Sequence, residues 1–222
     1  RPGVAFVTRG PGASNGMHGI HIARQDSTPL IMFVGQVARE MREREAFQEL
    51  DYRAVFGTMA KWATEIDDIT RIPEIVARAF RVATSGRPGP VVIALPEDML
   101  VETATVADAQ PYDPVETHPS LAQMAELQKL LWAAKAPVAI LGGSRWNEKA
   151  VERFVRFAER FDLPVAVSFR RQMLFPADHP NFIGDIGFGP NPRLIERIKA
   201  ADTVLLIGGR LSEVPSQSYS LL

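Results

Sequence analysis

The chain contains no cysteine. Disulfides, thiolate zinc sites and cysteine nucleophiles are excluded together, so any chemistry runs on other groups. Long hydrophobic runs are missing as well. The strongest, residues 29–37, is of strand length and well short of the roughly 20 apolar residues that a membrane-spanning helix requires. Neither sign of charge is in excess: 25 Lys and Arg stand against 26 Asp and Glu, a formal net charge of -1, which leaves no cationic footprint for nucleic acid. Histidine is scarce, at 4 residues. His18 and His21 are three apart with no third ligand at a useful spacing, and they read as surface or interface polarity. His118 and His179 adjoin prolines in loops. The expected setting is soluble and cytoplasmic, with small molecules or protein as partners and neither nucleic acid nor membrane.

What is present points to an α/β protein. At 222 residues and 46% hydrophobic content, one to two domains with sizeable cores are expected. Short continuous apolar runs recur at residues 4–7, 30–34, 91–95, 138–141, 165–167 and 204–207. Runs without alternation suit strands buried on both faces, as in parallel sheets covered by helices. Helices are predicted between them. Ser120 and Gln123 make a capping box ahead of Met124, Leu127, Leu131 and Ala134. Asn147 starts a helix whose apolar face is Val151, Phe154, Ala158 and Phe161. Asn191-Pro192 opens one carrying Leu194, Ile195 and Ile198, and residues 73–84 turn Ile75, Val76, Ala79 and Phe80 inward. All four apolar faces are expected to be core. Pro111, Asp113, Pro114 and Pro119 interrupt any periodicity, so residues 104–119 read as a linker between domains at 1–103 and 120–222. Two open, mostly parallel sheets with helices on both faces, a three-layer αβα arrangement in each incomplete domain, is the predicted fold class.

Several segments are candidate sites. Residues 8–15 read Thr-Arg-Gly-Pro-Gly-Ala-Ser-Asn directly after a buried strand, and such a turn lets backbone approach a flat ligand closely. Asn15 stands where a dinucleotide fingerprint needs its third glycine, so a standard pyrophosphate site is not supported. A plain strand-to-helix turn fits the same residues. Gly35-Gln36 ends a second buried strand, where a polar side chain either faces a crevice or caps the strand. The alternating charges of residues 39–45 suit a solvated loop. Gly142-Gly143-Ser144 and Gly208-Gly209-Arg210 lie at strand ends, where glycines serve phosphate contacts or tight turns equally.

Taken in order, the turn at 8–15, Gly35-Gln36-Val37, Ala46-Phe47-Gln48-Glu49-Leu50-Asp51 and the segment from Ser85 to Met99, with Gly86-Arg87-Pro88-Gly89-Pro90 and Leu95-Pro96-Glu97-Asp98, resemble thiamine-diphosphate-dependent enzymes, most of all the acetolactate synthase-like branch. The resemblance covers nearly the whole chain and implies that it is a fragment: part of a pyrimidine-binding domain and part of a central domain. It implies that Gly10, Pro11, Gly12, Asn15, Gly35 and Gln36 border the cofactor, with Phe47 as an apolar wall and Gln48 as an amide near cofactor and substrate. Arg9 departs from the small residue usual there. Lys61 matches a basic position of the synthases, although Trp62 replaces their His. The implied reaction is decarboxylation of a 2-oxo acid followed by carboligation. The Glu that activates the cofactor falls ahead of residue 1, so neither Glu45 nor Glu49 is assigned that role, and the diphosphate with its Mg2+ belongs to a third domain. In the flavin-containing synthases the positions of Gly142, Gly143 and Gly208 touch FAD. Arg170, Arg171 and Phe188 replace smaller groups or a His there, which leaves FAD or ADP open, with Arg210 and Glu213 the best fit to a nucleotide. A homodimer or homotetramer is implied. Two readings stay open beside the synthase: a decarboxylase, oxidase or lyase of the same superfamily, and a non-catalytic nucleotide-binding module.

Overall fold

The computed structural model describes residues 1–113 and 115–222; Pro114 of the predicted linker lies outside the described residues. Contacts divide the chain into two compact units, Arg1–Thr117 and His118–Leu222.

In the first unit, β1 (Gly3–Val7), β2 (Leu30–Gln36), β3 (Trp62–Glu65) and β4 (Pro90–Pro96) form a parallel sheet in the order β1-β2-β4-β3. Successive residues of the central strands feed opposite cores, because side chains alternate across a strand. Met32, Val34, Val92 and Ala94 pack with α1 (Gly10–Asp26) and α2 (Tyr52–Phe56). Ile31, Phe33, Val91 and Ile93 pack with α3 (Ile72–Thr84) through Ile75 and Ala79. The continuous apolar runs thus become strands covered on both sides. The edge strand differs: Val4 and Phe6 are exposed, Phe6 at 71%, although its ring stacks on Phe33. Expecting burial on both faces is incorrect for β1, an edge strand whose Val4 and Phe6 face is left open among the described residues.

In the second unit, β5 (Pro137–Leu141), β6 (Val165–Ser168), β7 (Phe182–Ile186) and β8 (Thr203–Ile207) form another parallel sheet, ordered β7-β6-β5-β8. Behind one face lies α5 (Glu148–Arg160), burying Phe154 and Ala158. Behind the other lies α6 (Pro192–Lys199), burying Leu194 and Ile198. The predicted caps are present: Asn147 and Asn191 each accept backbone N–H bonds, and Ser120 and Gln123 complete both halves of their capping box at α4 (Leu121–Ala133). Burial does not follow in α4. None of its residues is buried, and Leu121, Met124, Leu130 and Trp132 are exposed. Phe161 is exposed too. Capping and helix propensity act locally and form a helix whether or not anything covers it.

Two strands escape the sequence pattern. β3 contains Trp-Ala-Thr-Glu and only half-buried residues. β7 carries Gly184 at φ +128° and follows a register shift against β6. Both lie at sheet edges, where a long apolar run is not required. Among the described residues no helix is long and apolar enough to cross a membrane.

Candidate functional site

In the first unit, the candidate residues meet at the carboxyl ends of β1 and β2. These strands pair side by side in parallel, so the turns that leave them are neighbours. Arg9 N lies 3.5 Å from where a Cβ on Gly35 would stand. Gly10 opens α1 and donates its N–H to the Gln48 carbonyl at 3.0 Å. A Cβ on Gly10 would come within 3.0 Å of that same carbonyl, so glycine allows the two turns to touch. Pro11 occupies the first turn of α1, and Asn15 is exposed a turn later. The ring of Phe47 is 78% exposed. Gln48 is half-buried and adopts φ +64°, a left-handed backbone held by the bond from Gly10.

Gln36 behaves differently from a residue facing a crevice. It is 4% exposed, and both ends of its amide meet backbone: Oε1 accepts from Val37 N–H and Nε2 donates to the Leu50 carbonyl, each at 2.9 Å. It ties β2 to the segment after Gln48. Tyr52 completes that support, donating from its hydroxyl to the Gly35 carbonyl at 3.0 Å. Burial pushes the Tyr52 phenol up to about 12, against a smaller downward pull from Arg9. Sequence reading missed Tyr52, because a tyrosine opening a short helix carries no motif signal. Tyr52→Phe is expected to cost about 1 kcal/mol at neutral pH, the scale of one buried hydrogen bond. In the parent, a phenol raised in the folded state stabilises below its unfolded value near 10 and loses that contribution as the pH climbs toward 12. The variant should lack that alkaline loss in a pH series of denaturant titrations.

The loop between β2 and α2 is fastened at several points. Arg39 bonds Asp98 through its N–H and Nε at 3.0 and 2.6 Å, reaches the Asp67 carbonyl at 2.6 Å, and pairs with Glu102. Burial raises the Asp98 pKa, but the Arg39 hydrogen bonds outweigh it and the carboxyl is lowered overall. Arg42 pairs with Glu65 on β3. Glu49 accepts from Glu43 N–H at 2.8 Å and Ala46 N–H at 3.2 Å, so its carboxylate shapes the loop. Lys61 has another task altogether: its ammonium donates to the carbonyls of Val82 and Ser85 and closes the end of α3.

In the second unit, Gly142 and Gly143 meet Gly208 and Gly209 backbone to backbone. A Cβ on Gly143 would fall 1.9 Å from the Gly208 carbonyl oxygen, and Gly143 holds φ +78°. The Trp146 indole donates to the Gly142 carbonyl at 2.7 Å, and its Nε1 lies 3.0 Å from a Cβ placed on Gly208. Glu213 and Phe188 share a small cavity of about 130 Å³ with Gly187, Gly189, Val214, Gln217 and Ser218. Arg210 is exposed and does not line it. Phe188 stacks edge-on against Phe169, with the Arg170 guanidinium 5.0 Å from the Phe169 ring. Among the described residues no group of three or more potential metal ligands gathers.

Comparison with known proteins gives two family matches, one in each unit. Residues 1–55 match the thiamine pyrophosphate enzyme N-terminal TPP binding domain, and residues 124–221 match the thiamine pyrophosphate enzyme central domain. Among curated relatives, the probable acetolactate synthase large subunit of Methanocaldococcus jannaschii is 34% identical over 95% of this chain and 37% of its own length. The acetolactate synthase isozyme 3 large subunit of Escherichia coli is 33% identical over 95% and 38%. The crystal structure of benzoylformate decarboxylase from Polynucleobacter necessarius superposes with a TM-score of 0.83 at 27% identity, over 95% of this chain and 40% of that one. The chain therefore spans under two fifths of the length of these curated relatives.

Proposed function

Because this chain belongs to the thiamine pyrophosphate enzyme family, we propose that the complete protein decarboxylates a 2-oxo acid and ligates the resulting two-carbon unit to an acceptor, as acetolactate synthase does. One observation carries the reading: the Gly10 turn and the Phe47-Gln48 pair touch at the adjoining carboxyl ends of β1 and β2, where open α/β sheets form their ligand crevices. The residues fit the aminopyrimidine end of thiamine diphosphate. Gly10 brings backbone close, and the exposed Phe47 ring offers a flat apolar wall. The bound cofactor supplies a carbon nucleophile and an electron sink, chemistry that no side chain provides. This chain contributes the enclosing wall through Phe47 and an amide through Gln48, with Gly35 and Gln36 behind them. The diphosphate and its Mg2+ are assigned to a third domain, the part of the enzyme to which the family resemblance gives that task.

For the domains, the reading is a partial pyrimidine-binding domain over 1–103, a linker over 104–119 and a partial central domain over 120–222. The central domain is proposed to take FAD weakly or not at all: its glycine turns pack on each other, and the Trp146 indole sits over them. ADP, held by Arg210 and Glu213, is the better candidate if a nucleotide binds. The enzyme is proposed to be cytoplasmic and a homodimer or homotetramer.

The test uses the complete enzyme stripped of cofactor. Turnover of a 2-oxo acid is expected only when thiamine diphosphate and a divalent cation are both restored, with a ligated hydroxy-oxo acid as product and a colourless preparation. Residues 1–222 alone are expected to be inactive. Release of a free aldehyde without ligation would favour the decarboxylase reading, which the similarity to benzoylformate decarboxylase supports. Turnover independent of thiamine diphosphate would refute both.

A further inference from the structure

We propose that Arg9 is a positioning residue that fixes the Phe47-Gln48 pair, using the consecutive carboxylates Glu97 and Asp98 as the anchor. Its catalytic consequence rests on the thiamine reading above; its structural part does not. Arg9 follows β1 and reaches across the end of β2. A Cβ on Gly35 would lie 3.6 Å from its Cγ, an ordinary van der Waals distance, so the aliphatic stem passes directly beside position 35. At the far end, Nη1 donates to the Phe47 carbonyl at 3.2 Å, while Nη2 pairs with the Glu97 carboxylate. The next carbonyl, that of Gln48, accepts from Gly10 N–H at 3.0 Å. Residues 9 and 10 thus take hold of two successive carbonyls of the pair.

The anchor is itself held. Glu97 donates its own N–H to the Gln36 carbonyl at 3.1 Å, which keeps it beside the end of β2. Asp98 binds Arg39 at the entry to the loop, and Glu97 reaches the exit of that loop through Arg9. One dipeptide after β4 therefore secures both ends of the segment that delivers Phe47 and Gln48. The segment needs such fastening. Glu43, Glu45 and Gln48 all hold left-handed backbone at φ +61°, +55° and +64°, a conformation that side-chain-bearing residues keep only when surrounding contacts impose it. Arg9 is 22% exposed, and a guanidinium placed between a carboxylate and a carbonyl makes the stronger, charge-assisted type of bond.

The experiment compares Arg9→Ser, Arg9→Lys and Glu97→Gln with the parent in the complete enzyme, using limited trypsin digestion and steady-state kinetics. Trypsin can cut after Arg42 or Arg44 within the loop. Native-state nicking there is expected to rise about tenfold in Arg9→Ser, the scale of one lost charge-assisted hydrogen bond, with the melting temperature little changed. Glu97→Gln should give a smaller rise, since the bond to Phe47 survives. Arg9→Lys should fall between parent and Arg9→Ser, because an ammonium lacks the fork that serves two acceptors at once. In kinetics, kcat should fall in the same order while KM for the 2-oxo acid moves less. Unchanged nicking in Arg9→Ser, or nicking that rises equally at sites outside the loop, would overturn the proposal. A parent protein that turns over no 2-oxo acid would defeat the thiamine reading, while the digestion contrast would still decide whether Arg9 holds the loop.

Discussion

Gly143→Ala is expected to destabilise the unit formed by residues 118–222 by about 3 kcal/mol or more. Two separate costs combine. Placing a side chain at φ +78° costs roughly 1–2 kcal/mol through the Cβ clash with backbone. The new methyl would also fall 1.9 Å from the Gly208 carbonyl oxygen, and relieving such overpacking costs about 1–3 kcal/mol. Gly189→Ala isolates the first cost, because Gly189 holds φ +64° with nothing within 4 Å of its Cβ position. Since about 1 kcal/mol shifts the midpoint of a domain of this size by roughly 4–8 °C, calorimetry should resolve the two variants clearly. Equal shifts would mean that the ends of β5 and β8 do not abut as described.

Gln48→Ala is expected to lower turnover about a hundredfold in the complete enzyme, the lower end of what one lost donor near developing charge removes. Gln48→Gly separates side chain from backbone. Glycine suits φ +64° and relieves the left-handed strain, while its greater freedom when unfolded offsets much of that gain, so stability should change by under about 1 kcal/mol. Comparable losses of kcat in both variants at matched stability would assign the effect to the amide. Retention of activity in Gln48→Gly alone would show that this position contributes only its carbonyl, the acceptor for Gly10 N–H.

Much of the fold was legible because burial and local capping both leave marks on a sequence. Central strands such as β2, as far as Val34, and β4 are continuously apolar because both faces are covered, and Asn147 and Asn191 advertise their helices through caps that need no tertiary partner. The same locality misleads at α4, where capping and periodicity predict a helix correctly but say nothing about what covers it. Edge strands are harder to read. Trp62–Glu65 pairs with β4 alone and so needs no apolar run. At the site, the turns at Gly10 and Gly35 could be read as neighbours from strand order alone, whereas the supports could not. Gln36 looks like a ligand-facing amide until Val37 and Leu50 are seen to engage it. The link from Arg9 to Glu97 joins residues 88 apart, a distance at which no spacing rule operates.

Both sheets are parallel throughout, and this bears on how quickly the chain can fold. A parallel pair cannot be closed by a tight turn, so every pairing waits for an intervening crossover. Gly3 must find Leu30, Leu30 must find Pro90, and Pro137 must find Thr203. The entropy of closing such loops is lost before the contacts form, which places the chain among slow folders and prolongs the time that β2 and β4, the two longest strands, remain open to other chains. Yield on refolding from denaturant should therefore fall steeply with protein concentration, even where the native state is stable.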